Sequence, residues 1–283
     1  MENLAMQQNP LKPFFRKPGI WIKLPSQGKF YNVKPADLND MGEIPVYPLT
    51  AKDELFMKNA DALLNGTAVK ELVSSCVPSI TDPENMPSID LDAILVAVRR
   101  CTYGERMTVT IKHDCEDAKD TEYSIDLNQI IATIKVIDSL PPIEFDNGIR
   151  AFIKPVTVKD ILNLNWVQYE QVRNLQVAEQ QNIDEKTKVD LLQKSYKELT
   201  NESLRIISKS IETVLLPDGT VVSDSKLISE WVADLSKPDY SRLESSVMAT
   251  NQHGIDKDIE ISCPQCHNVF KSRIDLNPTT FFA

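Results

Sequence analysis

The alternation of apolar and polar positions along the chain predicts a mixture of helices and strands. From about residue 157 to 211, apolar side chains recur at the three- and four-residue spacing of an amphipathic helix. The stretches 107–111 and 123–127 instead alternate apolar and polar residues, which is typical of half-buried strands. The pattern therefore predicts an α+β fold. The predicted packed face of the helical stretch consists of Val189, Leu192, Tyr196 and Leu199.

Capping residues and turn residues divide the chain into shorter elements. Thr50, followed by Asp53, approximates a capping box and predicts a helix that runs to the stop signal at Gly66. Asp146-Asn147-Gly148 and Pro217-Asp218-Gly219 each separate two apolar stretches, which is typical of β-hairpins. The other predicted elements are helices at about 68–76, 92–101 (capped by Asp90 or Asp92), 225–235 and 239–250, and strands at about 143–145, 150–153, 212–216, 220–222, 257–262 and 269–275.

Two segments of the chain recur in the same order. Residues 46–55 match residues 153–162, where a strand leads into a capped helix, and residues 124–128 match residues 273–277, where a Cys-bearing hairpin ends. This order predicts a degenerate tandem duplication of a strand–helices–β-hairpin unit. The predicted organisation is an N-terminal basic arm and extended segment (1–43), a first repeat (44–128), a connecting segment with a hairpin (129–150) and a second repeat (151–283) that carries a helical insertion at about 163–211.

The scarcity of glycine and histidine excludes several classes of enzyme. The 283 residues include 8 Gly and 3 His, and the closest two glycines, Gly19 and Gly28, are nine positions apart. Phosphate-binding loops need clustered glycines, so no such loop is possible. A metal-dependent hydrolase needs an open coordination position and a general base, and no His and Glu residues stand at a suitable spacing. We therefore expect a protein without catalytic activity.

The charge of the chain limits its partners and its location. A net charge of −10 argues against nucleic acid or an anionic membrane as the main partner. The first thirty residues carry five basic residues and one acid, so the rest of the chain carries −14. This basic arm is either a tether to an acidic neighbour or a short disordered tail. The sequence lacks an apolar stretch long enough to span a bilayer and lacks a signal peptide. We therefore expect the chain to stay in a reducing cytoplasm, where its cysteines are thiols or metal ligands rather than disulfides.

Cys263-Pro264-Gln265-Cys266 is the strongest chemical motif. Two thiolates separated by two residues on a tight turn between strands can face one tetrahedral Zn²⁺ ion. The repeat places His113 and Cys115 at the matching position of the first copy, again between two predicted strands. We therefore predict a closed, structural, zinc-ribbon-like site of Cys263, Cys266, Cys115 and His113, with His267 as an alternative fourth ligand. The alternative interpretation is a degenerate loop that binds no metal, because a single residue between His113 and Cys115 leaves little room for both to bind one ion.

Other chemistry-bearing residues have structural interpretations. Cys76 and Cys101 lie on the apolar faces of predicted helices, so we expect them in the core. His253 precedes a glycine in a predicted turn and is expected at the surface. Phe281 and Phe282 form an apolar tip that would gain by docking on a partner or back onto the fold.

Five segments together resemble a known family. They are Leu24-Pro25-Ser26-x-Gly28-Lys29-Phe30-Tyr31; the strand and capped helix at 46–53; Leu63-Leu64-Asn65-Gly66 with the helix that ends at Cys76-Val77; Asp92 with Arg99-Arg100-Cys101-Thr102-Tyr103-Gly104; and the Cys-bearing hairpin that closes with Asp-Leu-Asn. This order resembles the baseplate hub and hub-assembly proteins of T-even-like contractile-tailed bacteriophages. The resemblance covers about 24–128 best and extends to about 277 through the repeat and Cys-Pro-x-Cys.

The resemblance implies a non-enzymatic protein that helps to build the central hub of the tail baseplate. Such a protein is a virion component or an assembly chaperone, and its expected partners are other hub, tape-measure or wedge proteins, or further copies of itself. Members of the family tend to carry Cys-Pro-x-Cys knuckles, from which His113-Asp114-Cys115 departs. The alternative hypothesis is a zinc-ribbon adaptor that binds nucleic acid or transcription machinery; the basic arm favours it, and the acidic net charge counts against it.

Overall fold

The chain folds into helices and small antiparallel sheets in a computed structural model that describes residues 9–34, 37–111, 121–180, 185–263, 266–276 and 281–282. The strands are β1 (Ile20–Lys23), β2 (Glu43–Val46), β3 (Arg106–Ile111), β4 (Thr121–Asp126), β5 (Ile143–Glu144), β6 (Arg150–Ile153), β7 (Ile211–Leu215), β8 (Val221–Val222), β9 (Asp258–Ser262) and β10 (Val269–Arg273). The helices are α1 (Ala51–Met57), α2 (Ala60–Leu64), α3 (Thr67–Cys76), α4 (Ser88–Tyr103), α5 (Leu127–Ala132), α6 (Val158–Gln180), α7 (Glu185–Lys209), α8 (Ser225–Ala233) and α9 (Lys237–Thr250). The predicted α+β class is confirmed. Within the described ranges, no helix has both the length and the apolar character that crossing a membrane requires.

Helix α4 lies at the centre of the first of two apolar clusters. Its residues 94–98 are all buried, as expected for a helix that is apolar on every side. Ile22 of β1 and Leu72 of α3 belong to the same cluster. So do Ile274 and Leu276, which follow β10 near the other end of the chain. The C-terminal hairpin β9–β10 therefore stabilises the core that is built mainly by the first half of the chain.

The second apolar cluster surrounds a four-stranded antiparallel sheet with the order β5-β6-β7-β8. Ala151 and Val214 from the sheet pack with Val232 of α8 and Leu243 of α9. Both hairpins predicted from the sequence are present, but they also join each other through β6 and β7. Local patterns do not encode that pairing, because the long helices α6 and α7 separate the two strands along the chain.

Helices α6 and α7 form an antiparallel hairpin. Ser195 Oγ donates a 2.7 Å hydrogen bond to Gln171 Oε1, and Arg205 forms an ion pair with Asp160 near the base of the hairpin. The predicted packed face of α7 is wrong, since Val189, Leu192 and Tyr196 are exposed and Leu199 is only half-buried. The buried Ser195 lies on the side of α7 that faces α6 instead. Helix α7 thus carries a second apolar face that has no cover in the described chain.

The helix starts show which capping signals decide local structure. The capping box of Thr50 and Asp53 is confirmed. The single helix predicted after Thr50 is divided into α1 and α2, because the side chain of Asn59 accepts a hydrogen bond from the N–H of Ala62 and starts a new helix. The predicted cap at Asp90 or Asp92 is wrong, since α4 begins at Ser88. Asp90 instead binds the turn that contains Ser26 and Tyr31, as described below, and Asp92 forms an ion pair with Lys257 at 2.5 Å.

Candidate functional site

Cys263, Cys266 and His267 lie in the connection between β9 and β10. The N–H of Cys263 donates to the carbonyl oxygen of Asn268 at 3.0 Å, and the N–H of His267 donates to the carbonyl oxygen of Cys263 at 2.9 Å. His267 has a φ of +57°, a left-handed conformation that is uncommon for a residue other than glycine. Cys263 is buried and Cys266 is half-buried, whereas His267 is exposed. The loop therefore directs its cysteines inward and leaves the histidine outside.

The hairpins β3–β4 and β9–β10 pack together with the connected ends of their strands on the same side. Tyr123 and Phe270 each lie close to the loop of their hairpin, and their ring centroids are 6.0 Å apart with an interplanar angle of 78°. Ile125 and Ile259, nearer the other ends, line a shared cavity. Residues 112–120, which connect β3 to β4, lie outside the described residues. Ile111 and Thr121, the strand ends that flank residues 112–120, therefore lie at the end of the hairpin pair where Cys263 and Cys266 lie.

Two of the four predicted metal ligands come together in the described residues. Cys263 and Cys266 share one loop, but His113 and Cys115 lie outside the described ranges. Among the residues that the structure describes, no group of three or more His, Cys, Asp and Glu side chains could hold a metal ion. The prediction of a zinc site therefore stays a prediction, and the described knuckle supplies only two thiolates toward the four ligands that structural zinc requires. The alternative ligand, His267, is exposed.

A second polar site joins the Pro25–Tyr31 turn to α4. The carboxylate of Asp90 is fully buried and accepts hydrogen bonds from the N–H of Ser26 at 2.8 Å, from Ser26 Oγ at 2.5 Å and from the Tyr31 hydroxyl at 2.8 Å. Burial raises the pKa of Asp90 to about 6, although the three hydrogen bonds act in the opposite direction. The turn is held in a left-handed backbone conformation at Gln27 and Phe30. Asp90 is thus an anchor for the turn, a role that could have been inferred only by pairing the Pro-Ser turn with a distant aspartate.

The basic arm is attached to the fold through Arg16. Its guanidinium donates to the carbonyl oxygens of Pro48 and Ser75 at 2.5 and 2.6 Å, and it lies 3.6 Å from the carboxylate of Asp53. It also stacks over the ring of Tyr47. Asp53 therefore caps α1 and binds the arm at once. The sequence identified the capping role alone, because the arm is too far along the chain for a local pattern to reveal the contact.

Asp160, which matches Asp53 in the recurring sequence segment, is also paired with basic residues. Asp160 accepts a 2.6 Å hydrogen bond from the Thr157 hydroxyl and lies 3.2 Å from both Arg205 and Lys209. Burial raises the pKa of Asp160, but the Thr157 hydrogen bond and the two cations outweigh it and hold the pKa below its usual value. This carboxylate fastens the base of the α6–α7 hairpin.

The remaining candidates are structural. Burial raises the pKa of Cys76 to about 12 and that of Cys101 to about 11, so neither thiol is a nucleophile at neutral pH. Cys76 is buried in the first cluster and Cys101 packs against it, which confirms the predicted core positions. Phe281 docks back onto the fold, where the guanidinium of Arg99 lies 5.3 Å from its ring centroid.

Comparison with known proteins gives one match. A family model described as T4 bacteriophage base plate protein matches residues 18–283. No curated protein and no solved structure matches the chain.

Proposed function

The chain belongs to the T4 bacteriophage base plate protein family, and on this premise we propose that it is a non-enzymatic structural or assembly protein of the hub of a contractile tail baseplate. The observation that carries the proposal is the extent of the match, from residue 18 to 283. Both apolar clusters, the α6–α7 hairpin and the two Cys-bearing hairpins lie within it. A baseplate role therefore concerns the whole fold and not one attached module.

The chemistry of the buried polar groups supports a role without catalysis. Asp90 holds a turn, Asp53 holds the arm, and Asp160 holds a helical hairpin. In each case the carboxylate is satisfied by neighbouring side chains. A general acid or base needs to reach a substrate in an open cleft, and these three groups are engaged in joining segments of the chain.

The hub assignment follows from the segments that resemble hub and hub-assembly proteins. The Pro25–Tyr31 turn is among them, and Asp90 fixes its geometry. The proposed partners are other hub, tape-measure or wedge proteins, and the proposed location is the tail baseplate of the virion or the host cytoplasm during assembly. The nucleic-acid adaptor has weaker support, because the net charge is −10.

We also propose that the chain arose by tandem duplication. The N–H of Tyr47, after β2, donates to the carbonyl oxygen of Cys76 at the end of α3; the N–H of Lys154, after β6, donates to that of Ser210, just beyond α7. The same threonine and aspartate pattern follows each strand. These parallels support the equivalence of α3 with α7. In this proposal, the added residues of the second repeat lie within the α6–α7 hairpin.

In this proposal a zinc ion joins the loops of the two Cys-bearing hairpins. Cys263 and Cys266 supply two thiolates, and Cys115 and His113 complete the set. The contact between Tyr123 and Phe270 supports the arrangement, since it keeps both loops at one end of the hairpin pair. The metal would supply only a structural link, because four protein ligands leave no position for a substrate.

Metal analysis tests the zinc proposal directly. Protein prepared without chelators should contain about one Zn²⁺ per chain, and Cys263→Ser should lower both the metal content and the melting temperature. Cys76→Ser is the matched control, because Cys76 is a buried thiol of the first cluster that is not among the proposed ligands; it should change stability without loss of metal. A metal-free wild-type protein of equal stability would reject the site.

Loss of the gene in its phage tests the proposed function. Without the protein, tail assembly should stop before a complete baseplate forms, and expression of the wild-type chain in trans should restore it. Mass spectrometry of purified virions then separates the two roles, since a hub subunit remains in the particle and a chaperone does not. Normal, infectious tails from the null mutant would refute the proposal.

A further inference from the structure

Two strand edges line one cleft at the side of the Cys-bearing hairpins. The sheets β3–β4 and β9–β10 are two-stranded, so among the described strands β4 and β9 are each paired on one edge only. A cleft of about 460 Å³ lies between them, and its lining includes residues 123–126 of β4 and the whole of β9. A strand edge without a partner is a template for one more strand.

The hydrogen bonds beside β9 show which edge its main-chain groups face. At one end the carbonyl oxygen of Lys257 accepts from the N–H of Ile274, and at the other end the N–H of Cys263 donates to the carbonyl oxygen of Asn268. Hydrogen-bonded pairs alternate along an antiparallel ladder, so the odd-numbered residues of β9 pair with β10. The N–H and C=O groups of the even-numbered residues therefore face the other edge.

Glu260 and Ser262 keep this edge open for pairing. Neither residue forms a main-chain hydrogen bond with another residue in the described ranges. The third residue on this edge, Asp258, donates its N–H to the carboxylate of Asp256 at 3.0 Å. A bound strand could therefore accept from the N–H groups of Glu260 and Ser262 and donate to the carbonyl oxygens on the same edge.

The side chains of β9 predict the pattern of a strand that binds there. Ile261 is buried and Ile259 is half-buried, whereas Asp258 and Glu260 are exposed. A strand added at the edge continues this alternation between the two faces of the sheet. Its inward side chains would cover the apolar floor of the cleft, to which Ile125 of β4 also contributes. Its outward side chains would lie beside the two acidic residues.

The charge of the cleft selects basic outward side chains. Lysine and arginine are absent from its described lining, which contains four acidic residues: Asp126, Asp256, Asp258 and Glu260. The basic residues of the two hairpins lie on β3 and β10, one strand further from the cleft: Arg106, Lys271 and Arg273. Opposite charges on neighbouring strands attract.

Strand β10 already shows which residues suit a neighbour of β9. Its Lys271 stands opposite Glu260 and its Arg273 stands opposite Asp258, while Phe270 between them contacts Tyr123. Lys271 Nζ lies 3.8 Å from the carboxylate of Glu260, whose side chain is still 68% exposed. That carboxylate can therefore bind a second basic group from the open edge.

We propose that the cleft between β4 and β9 binds an extended segment of another protein, which adds to β9 as a third strand and alternates apolar side chains with Lys or Arg. The basic arm of the chain itself is a poor occupant, because Pro10, Pro13 and Pro18 interrupt it and proline cannot donate to a ladder. The inference goes beyond the proposed baseplate role and does not depend on it, because it rests on this cleft alone.

Amide hydrogen exchange of the full-length chain, followed by NMR, tests the proposal at single residues. In the free protein the amides of Glu260 and Ser262 should exchange fast, whereas those of Ile259 and Ile261 should be protected by β10. The probe is a capped peptide of alternating valine and lysine, about eight residues long. At saturation it should slow exchange at Glu260 and Ser262 by at least about tenfold.

Two proline variants separate main-chain pairing from attraction between charges. Glu260→Pro removes an N–H that faces the cleft, so it should weaken peptide binding in calorimetry by at least about tenfold. Lys271→Pro is the matched control, because Lys271 stands opposite Glu260 and its N–H faces the outer edge of β10. It breaks the same ion pair, yet it should change the affinity by less than about twofold. The same peptide with glutamate in place of lysine should not bind.

Four results would overturn the proposal. If Glu260 and Ser262 are already protected in the free protein, the chain covers this edge itself. If the lysine peptide does not bind, or the glutamate peptide binds equally well, the cleft does not select a basic strand. Protection that appears at Ser124 of β4, and not on β9, would assign the wrong edge. Equal affinities of Glu260→Pro and Lys271→Pro would show that the cleft-facing edge has no special role.

Discussion

At the scale of single residues, three aspartates join parts of the chain that are distant in sequence. Asp53 holds Arg16, Asp90 holds Ser26 and Tyr31, and Asp160 holds Arg205. A local pattern can identify an aspartate as a cap, but it cannot identify a partner dozens of residues away. Two of these aspartates differ in the effect of burial on their pKa. Burial raises the pKa of Asp90, whereas at Asp160 a hydrogen bond and the neighbouring cations more than offset the effect of burial.

The raised pKa of Asp90 predicts an unusual dependence of stability on pH. The folded state holds the proton up to a pKa of about 6, above the value of about 3.9 expected in the unfolded chain. Its stabilising effect is therefore complete below about pH 4 and is lost as the pH rises through 6. Asp90→Asn should remove this dependence, so the stability of the variant relative to the wild type should rise by about 2 kcal/mol between pH 4 and 7. Urea denaturation at a series of pH values measures this difference.

Asp160→Asn provides a control of opposite sign. The folded-state pKa of Asp160 lies below its usual value, so the charged form stabilises the fold above the unfolded pKa and this effect is lost as the pH falls. The variant should be less stable than the wild type at pH 7, and the difference should shrink only as the pH falls below about 4. If Asp90→Asn follows the wild-type curve in parallel at all pH values, the burial argument for Asp90 is wrong.

At the scale of elements, the sequence predicts most helices and hairpins but not how they meet. Gly148 and Gly219 mark two hairpin turns correctly, because such turns need a left-handed residue that glycine supplies locally. The pairing of β6 with β7 and the exposed face of α7 were not predictable in this way. Both depend on which element lies opposite, and the helical period of Leu192 and Tyr196 is the same whether the partner is the same chain or another one.

One contact between elements explains the position of Gly66. This residue starts α3 with a φ of +78°, and a Cβ atom added to it would collide with Leu162 of α6. Gly66→Ala should therefore destabilise the protein by more than the roughly 1–2 kcal/mol that a left-handed alanine costs. Gly42→Ala is the matched control, because Gly42 has a φ of +74° and no atom within 4 Å of an added Cβ. Urea midpoints of the two variants measure the difference.

A double-mutant cycle identifies the source of the extra cost. In the Gly66→Ala background, Leu162→Ala removes the collision, so it should cost less than it does in the wild type. Additive costs, or equal midpoints for Gly66→Ala and Gly42→Ala, would mean that α6 does not rest on the start of α3 as the structure has it.

At the scale of the whole molecule, the first apolar cluster is built from segments at both ends of the described chain. The C-terminal hairpin follows the second cluster in sequence, yet Ile274 and Leu276 pack in the first. The match to the baseplate family spans both clusters. In the described residues the chain therefore has two apolar clusters, and a hairpin that follows the second cluster in sequence returns to complete the first.

This topology predicts which helices lose protection from hydrogen exchange when a cavity is made in either cluster. Ile274→Ala in the first cluster and Ile228→Ala in the second remove the same atoms from buried sites, and each should cost about 2–5 kcal/mol. Hydrogen exchange should show loss of protection in α4 for Ile274→Ala, although α4 precedes residue 274 by more than 170 positions, while α8 and α9 keep theirs. Ile228→Ala should give the reverse pattern. Equal loss in both clusters for either variant would mean that the cores unfold as one unit, and unchanged α4 in Ile274→Ala would mean that the returning hairpin does not stabilise the first core.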